Sequence, residues 1–153
     1  MKGRPLSLRN DLIGVAGVYF VAYRLSLRGL IVLPTMRNAA GIDLLVNDPK
    51  MGALASIQVK ASMEKVTYWP MPQPEKCSRA PNTFYVFLRY LAERQEFEGF
   101  LASADAVAQQ VEENIADYRR RGLSEFAYWE LPTSAEETEQ LRQAWSDWMP
   151  SVA

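Results

Sequence analysis

Gly41-Ile42-Asp43-Leu44-Leu45-Val46 and, after a short turn, Ile57-Gln58-Val59-Lys60 decide how this chain is read. Both pieces are apolar enough to be buried strands, yet each carries side chains that a buried strand avoids: Asp43 in the first, Gln58 and Lys60 in the second. Asn47-Asp48-Pro49-Lys50-Met51-Gly52 between them has the composition of a hairpin loop. Pairing as a hairpin brings Asp43 and Gln58 close on one face. Lys60, two residues beyond Gln58, points the same way by the period of the strand. A carboxylate, an amide oxygen and an ammonium then converge at one edge of a small sheet. That is a candidate cation site with a lysine beside it.

The rest of the composition narrows the chemistry. The chain has 153 residues, no histidine and one cysteine, Cys77. Without histidine, Ser-His-Asp and Cys-His nucleophilic sites, His-ligated zinc and a histidine general base are all excluded. A lone cysteine leaves no intramolecular disulfide and no Cys-based zinc site, and it fits a reducing, cytoplasmic setting. No apolar run is long enough to span a bilayer, and the first residues carry no apolar leader, so neither a membrane partner nor a secretory signal is expected. Catalysis would fall to carboxylates, Lys, Tyr or a metal held by oxygen ligands.

Charge is unevenly spread along the chain. Residues 1–80 hold 11 Lys and Arg against 5 Asp and Glu, while residues 81–153 hold 6 against 13. The candidate site lies in the basic half, so a phosphate-bearing partner fits there. The alternative is that the two halves intermingle on the folded surface.

Around the hairpin, helical spacing predicts a helix from about Arg9 to Arg28, with Leu12, Val15, Ala16, Tyr19, Ala22 and Leu25 at that spacing, ended by Gly29. Leu30 to Leu33 reads as a first strand, and Pro34 to Ala40 as a connection exposing Arg37 and Asn38. Residues 63–82 carry Pro70, Pro72, Pro74 and Pro81, which exclude regular helix and central strand. This long loop holds Lys65, Tyr68, Trp69, Lys76 and Arg79, an aromatic and basic set suited to nucleic acid. The alternative there is that the aromatics pack beneath the loop. Thr83–Leu88 and Glu96–Leu101 read as paired strands. A helix capped by Ser103 follows to about Arg121, then a short strand over Phe126–Leu131. Ser134 and Glu137 form a capping box for a last helix whose apolar stripe includes Leu141, Ala144, Trp145 and Trp148. Arg119-Arg120-Arg121 suits the negative end of the preceding helix, with phosphate binding as the alternative.

The Gly17–Gly29 run, Gly41-Ile42-Asp43 and Gln58-Val59-Lys60 together resemble the core of the PD-(D/E)XK nuclease superfamily, which includes restriction endonucleases and Holliday junction resolvases. The likeness covers roughly residues 10–62. It implies an α/β (α+β) restriction endonuclease-like αβββαβ core, a mixed central sheet flanked by helices. It implies one nuclease-like domain over residues 1–153, with its core at about 8–122 and a strand-helix appendage at about 123–153. By the same resemblance, Asp43 would be the principal metal-holding carboxylate. Gln58, where the family usually has Glu or Asp, and the Val59 backbone carbonyl would be further ligands for Mg²⁺ or Mn²⁺. Lys60 would act on the attacking water and the phosphate. DNA is the implied partner, at which Arg37, Asn38, Lys65, Trp69, Lys76 and Arg79 would bind. A homodimer is compatible with that reading, and a protein partner is the alternative to DNA. One position departs from the pattern: many members place a Glu on the first helix just after a Gly, where this chain has Val18, and Asp11 lies two turns earlier. The implied activity is endonucleolytic phosphodiester hydrolysis at a reduced site. Its alternatives are a nuclease fold that only binds a partner, and a structural Asp43–Lys60 ion pair.

Overall fold

The structure, a computed structural model, describes residues 10–36, 41–63 and 65–152. Its elements run α1 (Asn10–Leu27), β1 (Ile31–Pro34), β2 (Leu44–Asp48), β3 (Ala53–Met63), β4 (Tyr68–Pro70), a 3-10 turn (Pro74–Lys76), β5 (Thr83–Leu91), β6 (Glu96–Ser103), α2 (Ala104–Arg120), β7 (Tyr128–Glu130) and α3 (Ala135–Asp147). Five strands form one mixed sheet in the order β1-β2-β3-β5-β6, and β4 and β7 form a small antiparallel pair. Among the described residues, only the β3–β5 pairing is parallel within the large sheet. Helices flank that sheet, as the sequence predicts.

β2 and β3 pair as the expected hairpin, from Asp48 opposite Ala53 to Leu44 opposite Ile57. Asp48 Oδ1 accepts the amide hydrogens of Lys50 and Met51, and Gly52 takes the positive φ of 68° that the turn requires. Asp48 is buried because it serves its own turn. Between β3 and β5 the chain must cross over to enter the sheet parallel. It does so through the proline-rich segment, which carries β4 and a single 3-10 turn and no α-helix among its described residues. Prolines remove the amide donors a helix needs, so the segment is ordered by its contacts instead.

Each face of the sheet has its own apolar layer. One contains Leu44, Ile57, Val86 and Leu88 with Val21 and Leu25 of α1 and Trp145 of α3. The other contains Phe87, Phe100, Trp69 and Trp129 with Val107, Val111 and Ile115 of α2. Ser103 caps α2 by accepting from the Ala106 amide, and Ser134 caps α3 by accepting from the Glu137 amide. β7 pairs with β4, and α3 lies on β6 so closely that a Cβ on Gly99 would stand 2.6 Å from Trp145 Cδ1.

α1 sits on the sheet by a face whose buried residues share only Leu25 with the set its spacing picks out. Ile13, Gly17, Val21 and Leu25 are buried, whereas Leu12, Val15 and Tyr19 are exposed. The helix is apolar nearly all round, so periodicity does not single out one face. Close approach decides it: a Cβ at Gly17 would lie 2.9 Å from Ala61 Cβ, so only a glycine face lets α1 settle onto β3. Gly29, with φ at 83°, ends the helix as expected.

Candidate functional site

The ladder between β2 and β3 ends in a fork. The Asp43 amide donates to the Ile57 carbonyl at 2.9 Å, and the Asp43 carbonyl accepts from the Thr35 amide at 2.9 Å. Beyond this point β2 turns away while β3 continues to Met63. The Asp43 side chain bridges the opening: its Oδ2 accepts the Val59 amide hydrogen at 2.7 Å. One carboxylate oxygen therefore extends the ladder by a rung. By strand alternation the Val59 carbonyl faces the same open edge as its amide.

A cleft of about 550 Å³ opens at this fork. Asp11, Gly14, Val15, Val18 and Tyr19 of α1 form one wall, and Asp43, Gln58 and Val59 contribute to the other. Gly41, at φ 70°, takes the left-handed conformation that favours glycine, and it lies beside Gln58, where a Cβ would make an ordinary contact 3.5 Å from Oε1. The Thr35 hydroxyl donates to the Ile42 carbonyl and pins the strand that closes the far side. Sequence reasoning discounts Asp11 for its distance along the helix axis from Val18. Asp11 nonetheless lines the same cleft as Asp43. The sequence places Asp11 on roughly the same helix face as Val18, and how α1 lies on the sheet decides that it reaches the cleft.

Lys60 stands on the same face of β3 as Gln58, half-buried and beside Phe87 in the register, and it is not part of the cleft lining. Its charge and that of Arg79 pull the Cys77 thiol down, against the stronger upward push of burial. Tyr85, opposite Gln58 in β5, is buried and its phenol is pushed up to about 12, mainly by desolvation and further by Cys77 and Asp43. It therefore stays a neutral hydroxyl at any ordinary pH. Among the described residues, the Asp43 carboxylate takes the Val59 amide rather than the Lys60 ammonium as its hydrogen-bond partner.

The loop residues expected to meet nucleic acid divide. Trp69 is buried at 2 % exposure, with its ring against Phe87 and Trp129 and its indole N–H donated to the Leu88 carbonyl. The core claims it, so it does not present a stacking face to a ligand. Arg79 is exposed but held by Asp105 and Glu112 of α2, both at 2.8 Å, which fastens the loop to that helix. Lys65, in a left-handed conformation at φ 70°, and Lys76 are exposed. Arg37 and Asn38 lie outside the described residues.

Among the described residues, no group of three or more His, Cys, Asp or Glu side chains comes together to cage a metal ion. The donors at the fork are nonetheless all oxygens: the Asp43 carboxylate, the Gln58 amide, the Val59 carbonyl and, across the cleft, the Asp11 carboxylate. That set fits a hard divalent cation that retains several waters, and it does not fit zinc or copper.

No protein-family model matches the chain, and no curated protein matches it. Among solved structures, a bacterial homing endonuclease, I-Ssp6803I, is similar, with a TM-score of 0.52 and 15% identity over 90% of this chain and 88% of that one. At that identity the likeness concerns the fold alone, which in this chain is a mixed five-stranded sheet flanked by helices.

Proposed function

We propose that this chain is a nuclease-like protein of the PD-(D/E)XK kind that hydrolyses DNA phosphodiesters at the Asp43 cleft with Mg²⁺ or Mn²⁺. The observation that carries the reading is the Asp43 carboxylate, held by the Val59 amide at the mouth of an open strand fork with Gln58 opposite. The fold shared with a homing endonuclease supports it. Asp43 would hold the cation through the oxygen that Val59 leaves unused. Gln58 and the Val59 carbonyl add neutral donors, and Asp11 supplies a second carboxylate from α1. A bound cation supplies Lewis-acid polarisation of the phosphodiester. Lys60 offsets negative charge on the phosphate from the neighbouring position on β3. Lys65 and Lys76 contribute phosphate contacts from the loop, and residues 1–153 act as a single domain.

A second reading has a specific observation behind it. Gln58 carries no charge and Val18 stands where the family's helix carboxylate would be, so the site can bind cation weakly and serve only to hold DNA or a protein. One experiment separates the two: conversion of supercoiled DNA by wild type and Asp43→Asn with Mg²⁺ or Mn²⁺, alongside calorimetric cation titration. Metal-dependent nicking lost in the variant is expected. Cleavage that persists in Asp43→Asn would sink the catalytic assignment, and absence of both cleavage and cation binding in wild type would favour the second reading.

A further inference from the structure

Tyr85 on β5 is a core side chain with a hydroxyl that the core does not use. It is 2 % exposed, and its ring stacks on Phe87 at 5.7 Å with the planes 12° apart. Val86, Phe87 and Leu88 beside it are buried and apolar, and a phenylalanine would pack in the same way. Among the described residues, the Tyr85 hydroxyl makes no hydrogen bond. A buried polar group without a partner costs stability, so a tyrosine at this position needs a reason.

The register of the sheet supplies one. On β6, Ala102 stands opposite Tyr85 and offers no polar side-chain atom. On β3, Gln58 stands opposite it, and opposed residues point to the same face. The thiol of Cys77, close enough to act on the Tyr85 phenol, is directed to the Pro72 carbonyl. The Gln58 amide likewise makes no hydrogen bond among the described residues. Because β3 lies between β2 and β5, Gln58 has the Asp43 fork on one side and Tyr85 on the other. Its Oε1 is the end that approaches Gly41, on the fork side. The Nε2 end is left for β5.

We propose that Tyr85 is a positioning residue for Gln58: when a divalent cation occupies the fork, the Tyr85 hydroxyl accepts a hydrogen from Gln58 Nε2 and holds Oε1 towards the cation. This role rests on the reading of the fork as a cation site. The chemistry explains why a glutamine needs such a partner. A carboxylate offers two equivalent oxygens, whereas an amide turned the wrong way presents N–H donors to the cation.

The test is calorimetric titration of Mn²⁺ into the full chain as wild type, Tyr85→Phe, Gln58→Leu and the double variant, with urea unfolding of each in the absence of metal. Tyr85→Phe should weaken Mn²⁺ binding about tenfold, the usual scale for losing a hydrogen bond that orients a ligand. Its urea midpoint without metal should stay at or above that of wild type, because the hydroxyl removed has no partner in the fold. In the Gln58→Leu background the same change should cost no further affinity. Equal affinity in wild type and Tyr85→Phe, an equal loss in both backgrounds, or a Tyr85→Phe variant that unfolds earlier than wild type without metal would each overturn the assignment. A wild type that binds no Mn²⁺ would remove the cation reading itself, and this role with it.

Discussion

Asp43 serves structure and chemistry with the same carboxylate, and the two roles separate by substitution. Asp43→Ala removes the acceptor of the Val59 amide and should cost about 1–3 kcal/mol, the range for losing a charge-assisted hydrogen bond. Asp43→Asn keeps an oxygen acceptor and should unfold close to wild type in urea, while losing the negative charge that a cation requires. Equal destabilisation by both would mean that charge, not the acceptor, holds the fork. Gln58→Glu tests the other side. A second carboxylate at the fork should tighten Mn²⁺ binding by roughly tenfold or more on the usual gain from an added anionic ligand. Unchanged affinity by calorimetry would remove Gln58 from the donor set. At this scale Asp43 and Gln58 were legible in the sequence, because polar side chains in apolar strands need a reason. Trp69 was not: a tryptophan between prolines reads equally as a surface platform or a core side chain, and only β4 pairing with β7 buries it.

Among the elements, the strands and capped helices follow from local signals, and α1 shows where such signals stop. Turn chemistry at Asp48 and Gly52, and hydroxyl caps at Ser103 and Ser134, act within a few residues and so are readable from a short window. The buried face of α1 is set by the surface beneath it. Gly17→Ala tests this directly. Helix propensity alone would favour alanine by up to ~1 kcal/mol. The new Cβ, 2.9 Å from Ala61 Cβ and 3.1 Å from Leu88 Cδ1, has no flexible neighbour on the Ala61 side, so a net loss of about 1–3 kcal/mol is expected from overpacking. A midpoint in urea equal to or above wild type would show that α1 can lift from β3 freely. Its residues Gly14, Val15 and Val18 line the cleft, so the same variant should also disturb cation binding there.

Across the whole molecule, long-range ion pairs join what the sequence keeps apart. Glu98 on β6 receives Arg89 of β5 at 2.7 Å and also pairs with Arg142 of α3, and both guanidiniums lie over the Phe100 ring. Burial alone would raise the Glu98 carboxyl, but the Arg142 and Arg89 hydrogen bonds hold it below its ordinary 4.5. A carboxylate depressed in the folded state adds stability that is present above its unfolded pKa and is lost as pH falls through the lower folded value. Stability measured in urea should therefore decline on acidification from about pH 5 downward, and Glu98→Gln should flatten that decline. An unchanged slope in Glu98→Gln would assign the acid sensitivity to other carboxylates. Arg79, from the basic half, likewise meets Asp105 and Glu112 from the acidic half, so the charge asymmetry along the chain is partly cancelled on the surface. The sequence by itself determined the strand hairpin, the polar residues Asp43 and Gln58 that mark it, the capped helices and the exclusion of histidine-dependent and cysteine-ligated zinc sites, because these rest on residue identity and spacing over short range. Tertiary structure alone decided which face of α1 is buried, that Asp11 shares a cleft with Asp43, and that Trp69 belongs to the core. Those depend on how elements distant in sequence cross and press together, and no local pattern encodes a crossing.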